Sequence, residues 1–213
     1  PASSAPLAHP PPHPGRLCAG RGLLAWDGGN FELPDEPDHA PASAYPGSRT
    51  GHAGYPQAQC AVLVECATHA ILAANLGPYR VGEWEICQPL LSRLTPDMLC
   101  LADRGFNGFE HWRQASATGA QLLWRCAVNR QLPVQRLLGD GSYLSVIVPS
   151  GVGRAQAAEQ AITVRVIEYA LPGLGDAQPR YRLLTTLLDP LAAPAMELAA
   201  LYHQRWEVES VFD

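Results

Sequence analysis

Gly22-Leu23-Leu24-Ala25-Trp26-Asp27-Gly28-Gly29 is the stretch that decides how this chain folds. Its apolar run ends on an acid and then on two glycines, the pattern of a buried strand whose last residue projects from a sheet edge. Met98-Leu99-Cys100-Leu101-Ala102-Asp103 repeats that pattern and is followed by Arg104-Gly105-Phe106. If the first strand is central and lies beside the second, Asp27 and Asp103 emerge at one edge of one sheet. Each acid also has an ordinary reading. Asp27 begins an Asp-Gly turn dipeptide, and Asp103 suits a local ion pair with Arg104 or a helix cap near Gly105.

Outward from these two runs, 59–67 and 69–76 read as strands joined by a tight turn at Thr68. Residues 83–94 carry Ile86, Leu90, Leu91 and Leu94 at helical spacing, and Pro96-Asp97 ends that pattern. A helix over 108–118 and a strand over 121–128 follow. Residues 30–57, with four acids, several prolines and turn residues, read as one long loop. Residues 1–20 are rich in Pro, Ala and His without periodicity, so a disordered or extended leader is expected there. Between 127 and 193 the character changes. The segments 142–149, 162–171 and 181–188 are β-rich, with Asp140-Gly141 and Pro172-Gly173 as turns, which predicts an antiparallel insertion. Pro194 then opens a helix that runs to the end of the chain. Without the insertion the order is strand, strand, strand, helix, strand, helix, strand, helix. That order predicts an α/β domain with a mixed five-stranded sheet and helices packed on it.

Composition narrows the function classes. The chain has 213 residues, 47% hydrophobic, enough for one domain with a sizeable core. No stretch approaches the ~20 apolar residues of a membrane span, so a soluble cytoplasmic protein is expected. All 15 basic residues are arginine, and a net charge of −5 argues against a protein that coats nucleic acid generally. The charge is uneven, however: 102–182 holds 9 Arg against 6 acids, so the middle of the chain can face a polyanion. The six cysteines form no Cys-x-x-Cys pair and mostly sit in apolar runs, which argues against a zinc ribbon and for small buried hydrophobes. His9 and His13 are separated and flanked by prolines that forbid the helix needed to aim both at one metal. The chain begins on Pro and stops inside a helical pattern, so a domain truncated at both ends is expected.

The closing stretch Tyr202-His203-Gln204-Arg205-Trp206-Glu207-Val208-Glu209 places Tyr202, Arg205 and Glu209 within roughly 60° of one another on a helix. A solvated i,i+4 ion pair between Arg205 and Glu209 is the ordinary reading. With two strand-terminal aspartates upstream, Glu209 becomes a candidate third acid. Three hard oxygen ligands with open positions suit Mg²⁺ or Mn²⁺, and a pair of such ions roughly 4 Å apart can promote phosphodiester chemistry.

Four segments carry a family resemblance: Leu24-Ala25-Trp26-Asp27-Gly28, Leu101-Ala102-Asp103-Arg104-Gly105-Phe106, Asp140-Gly141-Ser142-Tyr143-Leu144, and the run from Tyr202 to Glu209. Together they resemble the transposases of bacterial insertion sequences that use an Asp-Asp-Glu triad, in the insertion-sequence-four-like group with a Tyr-x-x-Arg-x-x-x-Glu signature. The resemblance implies a ribonuclease-H-like catalytic domain over 21–213, with the β insertion at 127–193 before the last helix. It implies that Asp27 bridges two Mg²⁺ or Mn²⁺ ions, that Asp103 holds one, and that Glu209 holds the other. Tyr202 and Arg205 would grip phosphates, Arg forking onto oxygens as its geometry favours. The implied reaction is hydrolytic nicking at the element's ends followed by attack of a DNA 3′-hydroxyl. The implied partners are double-stranded DNA, as terminal inverted repeats and target, and a second copy of the chain; the implied setting is the bacterial cytoplasm, at the nucleoid. Arg104, Arg180 and Arg182 are further candidate DNA contacts, the last two alternating onto one strand face with Arg165 on the preceding strand. An outward polar sheet face explains those arginines equally well. Trp112 and Trp124 suit either a displaced base or, more commonly, a core. The family signature continues to a Lys about two turns past the Glu, which this chain does not reach, and an N-terminal DNA-binding region usually precedes the first Asp. An inactive remnant, or a DNA-binding domain without catalysis, is therefore the alternative expectation.

Overall fold

The computed structural model describes residues 22–36, 47–48, 51–52, 55–106, 108–170, 181–203 and 205. In chain order the strands are β1 (Gly22–Glu32), β2 (Gly47–Ser48), β3 (Gly51–His52), β4 (Gln57–Glu65), β5 (Ile71–Pro78), β6 (Met98–Ala102), β7 (Gln121–Arg125), β8 (Arg136–Leu137), β9 (Tyr143–Ile147), β10 (Ile162–Tyr169) and β11 (Tyr181–Thr185). The helices are α1 (Glu83–Cys87), α2 (Phe109–Ser116), α3 (Arg154–Glu159) and α4 (Ala195–His203). The leader at 1–20 and residues 206–213, over which the closing helix was expected to run, lie outside the described residues; α4 is described as far as His203.

The five expected strands form one half of the main sheet, in the order β5-β4-β1-β6-β7. β4 is antiparallel to both β1 and β5, whereas β6 is parallel to both β1 and β7. This mixed arrangement fits the ribonuclease-H-like expectation. The sheet nevertheless has nine strands, not five. β11 pairs with β7, setting Leu184 opposite Trp124, and β10, β9 and β8 follow in turn. The insertion therefore extends the sheet. Without β11, β7 would present an unpaired row of backbone groups to solvent.

β1 is central because it is apolar on both faces. Leu24 and Trp26 enter one core with Leu63, Ile86, Cys100, Phe106, Trp112 and Trp124. Leu23 and Ala25 enter a second core with Leu99, Leu101, Leu123, Leu198 and Tyr202. The alternation follows the two-residue period of a strand. α1 and α2 thus cover one face of the sheet, and α4 covers the other. Trp112 and Trp124 are buried and meet edge to face at 5.2 Å, so both are core residues. Cys60, Cys66, Cys87, Cys100 and Cys126 are buried, as the apolar runs around them led one to expect.

Two local expectations need correction. β1 does not stop at Asp27: it continues through Gly28-Gly29 to Glu32, pairing with β4 as far as Gln57. What ends near Asp27 is the ladder with β6, whose last pair is Ala25 and Leu101. The long loop at 30–57 is accordingly shorter, and within it β2 and β3 form a ladder of their own. The single helix expected over 83–94 divides into α1 and a 3₁₀ segment, Gln88–Arg93, near whose start Pro89 lies. Proline has no N–H for the α-helical ladder, and its ring crowds the preceding turn. Among the described residues, no helix is long and apolar enough to cross a membrane.

Candidate active site

The parallel register between β1 and β6, carried two residues past Ala25 and Leu101, sets Asp27 level with Asp103. Both lie beyond the last paired residues, where the two strands part. By strand alternation both follow Leu23-Ala25 and Leu99-Leu101 onto the face covered by α4. The two acids thus emerge together at the carboxyl end of the parallel strands, the edge at which open α/β sheets bind ligands.

Local hydrogen bonds fix each side chain. The Gly28 N–H donates to Asp27 Oδ1 at 3.0 Å. The Gly105 N–H donates to Asp103 Oδ1 at 2.7 Å, opening the 3₁₀ turn Arg104–Phe106. Phe106, at the end of that turn, is buried against Trp26 with ring centroids 5.7 Å apart, which pins the segment to the core. The cap near Gly105 considered from the sequence is therefore real, and the same carboxylate still faces the site.

The turn that follows α4 delivers the cation. Arg205 is buried, and its Nη1 lies 3.8 Å from Asp27 Oδ1. Tyr202 is also buried, and its hydroxyl donates to the Ala102 carbonyl at 3.3 Å, one residue before Asp103. Burial pushes that hydroxyl up to about 12, so it remains a donor. In this arrangement Tyr202 braces the strand end beside Asp103. The end of α4 is held by His203, whose Nε2 lies 2.9 Å from the Tyr169 hydroxyl and whose ring meets Tyr181 edge to face.

The start of α4 is held from the insertion. The Ala195 N–H donates to Asp140 Oδ2 at 2.9 Å, and Arg165 Nη2 hydrogen-bonds the same oxygen. Arg165 Nη1 also donates to the carbonyls of Leu187 and Ala193, at 3.1 and 2.7 Å. The segment Asp140-Gly141-Ser142 is thus a brace for the helix that carries Tyr202 and leads into Arg205.

The other candidate residues fall in different places. Arg104 is exposed beside Asp103. Arg182 pairs with Glu168 and donates through Nη1 to the Arg130 carbonyl at 2.8 Å. Arg165 is wholly buried, which removes it from any DNA-facing surface. Its strand position looked solvent-facing because a guanidinium on a strand normally is. Glu209 and Arg180 lie outside the described residues.

Sequence reasoning passed over one acid at this edge. β5 runs parallel to β1, so the turn after it returns to the same edge, and α1 begins there with Glu83. A Cβ placed on Gly28 would stand 2.9 Å from Glu83 Oε1, and one placed on Gly105 would stand 3.3 Å from Glu83 Oε2 and 3.0 Å from Asp103 Oδ1. Burial pushes the Glu83 carboxyl above its ordinary range, and the charges of Asp103 and Asp27 push the same way, against Arg205. The available signal was the pair of glycines, one directly after Asp27 and one two residues after Asp103.

Asp27, Asp103 and Glu83 offer only carboxylate oxygens, the donor chemistry of Mg²⁺ and Mn²⁺. Among the described residues, no three acidic, histidine or cysteine side chains already enclose one point as an ion's ligands would. Asp27 is turned instead toward Arg205. The donor set and the two glycine gaps fit a divalent ion at an open ledge.

Residues 19–213 match the family described as Transposase DDE domain. The chain is 29% identical over 206 residues to Transposase InsG for insertion sequence element IS4 of Escherichia coli (strain K12), which covers 93% of this chain and 44% of that protein. Its fold is similar to that of piggyBac transposase, solved by cryo-electron microscopy as a synaptic complex with hairpin DNA. The TM-score is 0.50 at 9% identity, over 89% of this chain and 39% of that one. The chain spans less than half the length of either relative.

Proposed function

The chain belongs to the transposase DDE-domain family, and we propose from this that it is the catalytic domain of an insertion-sequence transposase that cuts and rejoins DNA at the element's ends. The observation that carries the reading is the convergence of Asp27 and Asp103 at one sheet edge, with Arg205, just past α4, 3.8 Å from Asp27. Asp27 and Asp103, with Glu209 farther along the chain, are the residues that would hold Mg²⁺ or Mn²⁺. When bound, a pair of such ions activates the attacking oxygen and stabilises the leaving oxygen of a phosphodiester.

The chain's own residues do the rest. Arg205 supplies a guanidinium beside Asp27 whose planar fork suits a phosphate near the cut. Tyr202 holds the end of β6 and thereby the position of Asp103. Arg104, exposed next to Asp103, and Arg180 and Arg182 on the insertion are the contacts to backbone phosphates. Double-stranded DNA bearing the element's terminal repeats is the substrate, and a homodimer bridging two ends is the working assembly. Such a protein acts in the bacterial cytoplasm, at the nucleoid.

The test uses a duplex carrying the terminal repeat, Mn²⁺ and the 213-residue chain. Site-specific nicking that leaves a 3′-hydroxyl is expected. Asp27→Asn should lower the rate about 10³-fold or more, as for other residues acting as one catalytic unit. Equal nicking by Asp27→Asn would overturn the assignment, and DNA binding without nicking by the unaltered chain would favour the non-catalytic reading.

A further inference from the structure

We infer that Glu83 is an additional carboxylate ligand of the divalent-ion site, reaching the Asp27–Asp103 edge from the start of α1. The inference rests on the ion-site reading above and adds a residue to it. Its support is geometric. By strand alternation, Gly28 follows Leu24 and Trp26 onto the face covered by α1, so a side chain there would point at that helix. The Glu83 carboxylate takes the space instead, 2.9 Å from where the Cβ would stand. Its second oxygen and Asp103 Oδ1 both lie within 3.3 Å of the point a Gly105 Cβ would take. The two glycines beside the two aspartates therefore open a passage from the α1 face, and one carboxylate spans it.

The placement of Glu83 is fixed by its neighbours. Ile86 and Cys87 are buried, Ile86 sits against Gly77 of β5, and the Asn75 side-chain amide donates to the Ile86 carbonyl at 2.9 Å. Trp84 stacks on His111 at 4.2 Å and meets Trp26 and Phe106 edge to face. This aromatic wall holds Glu83 at the sheet edge and thins the water around it. An acid in the first turn of a helix is ordinarily explained by the helix dipole. Here Glu85, exposed in the same turn, already serves that purpose. Glu83 is turned inward, toward two other carboxylates and one guanidinium.

The experiment is a titration of the 213-residue chain with Mn²⁺, read by the electron paramagnetic resonance of free Mn²⁺, so that the readout is binding rather than cleavage. Glu83→Gln keeps the shape and removes the charge. It should weaken Mn²⁺ binding about 10-fold or more, since even groups one shell out from a metal commonly cost that much. Glu85→Gln should bind within about twofold of the unaltered chain, as a solvated acid outside the ligand set does. Thermal unfolding in EDTA should show Glu83→Gln at least as stable as the parent, which separates lost binding from lost fold. Mn²⁺ binding by Glu83→Gln equal to the parent, while Asp27→Asn weakens it, would overturn the role of Glu83 alone. Equal binding by all variants, Asp27→Asn included, would overturn the ion site itself and this inference with it.

Discussion

Two clusters of charge sit on this sheet, one in the insertion and one at the edge where β1 and β6 part. In the first, Arg165 is fully buried, and its donors are matched by Asp140, the Ser142 hydroxyl and backbone carbonyls at the start of α4. In the second, three carboxylates gather around a single buried guanidinium, with a hydrogen-bonded turn behind Asp103 and an aromatic wall behind Glu83. A saturated cluster fixes geometry. An acid-rich one sets like charges against one another.

The sharpest way to break this contrast is to remove one member of each cluster. Arg165→Leu leaves Asp140 in its partly buried place without its ion pair, and should cost about 3 kcal/mol or more in urea unfolding. Asp27→Asn should stay within about 1 kcal/mol of the parent in the same assay, because taking one like charge from the crowded edge offsets what is lost at Arg205, 3.8 Å away. If both variants lose equal stability, the clusters do not differ in kind.

A second, smaller effect follows pH. Burial alone would raise the Asp140 carboxyl, but hydrogen bonds from the Ser142 hydroxyl, the Ala195 N–H and the Ser142 N–H, with the charge of Arg165, outweigh it and hold it below 3.8. The folded value lies under the unfolded one. The stability Asp140 contributes is therefore complete above about pH 4 and is lost as pH falls through the lower folded value. The urea midpoint of the parent should drop across that acid window, and that of Asp140→Asn, weaker at neutral pH, should drop less. Parallel acid limbs would show that Asp140 is not the titrating brace.

The smallest effect is expected at Arg182. Its pair with Glu168 is partly exposed, so Arg182→Ala should change stability by less than about 1 kcal/mol. Measured against DNA, the same change should reduce the salt slope of binding by about 1 if Arg182 meets a phosphate. An unchanged slope would return Arg182 to the status of a sheet-face ion pair.

Much of the architecture was legible because it is written locally. Apolar runs ending in Asp27 and Asp103 gave the central strands, and the Asp140-Gly141 turn is where it was expected, with Gly141 at φ +85°. Pairing between distant segments was not legible. Nothing in Tyr181-Arg182-Leu183-Leu184-Thr185 says that it lies against Gln121–Arg125 instead of closing a separate sheet. The extension of β1 through Gly28-Gly29 was hidden because glycine is poor in strands, yet here its missing side chain is what the site uses. Arg165 was misread as outward for want of its partner, which stands 25 residues away. Glu83 looked like any acid opening a helix until the fold returned β5 to the same edge. Asp27 and Asp103 were visible from sequence because each closes an apolar run.

The bond from Tyr202 to Ala102 joins residues 100 apart, and Arg205 reaches back farther still, to Asp27 in the first strand. A ribosome lengthening this chain at ~5–20 residues per second makes both aspartates many seconds before it makes their guanidinium. During that interval β1, β4, β5, β6 and β7 have all been made, while α4 has not. The chemistry-bearing edge is thus completed only after the five strands beside it, once α4 and Arg205 have been made.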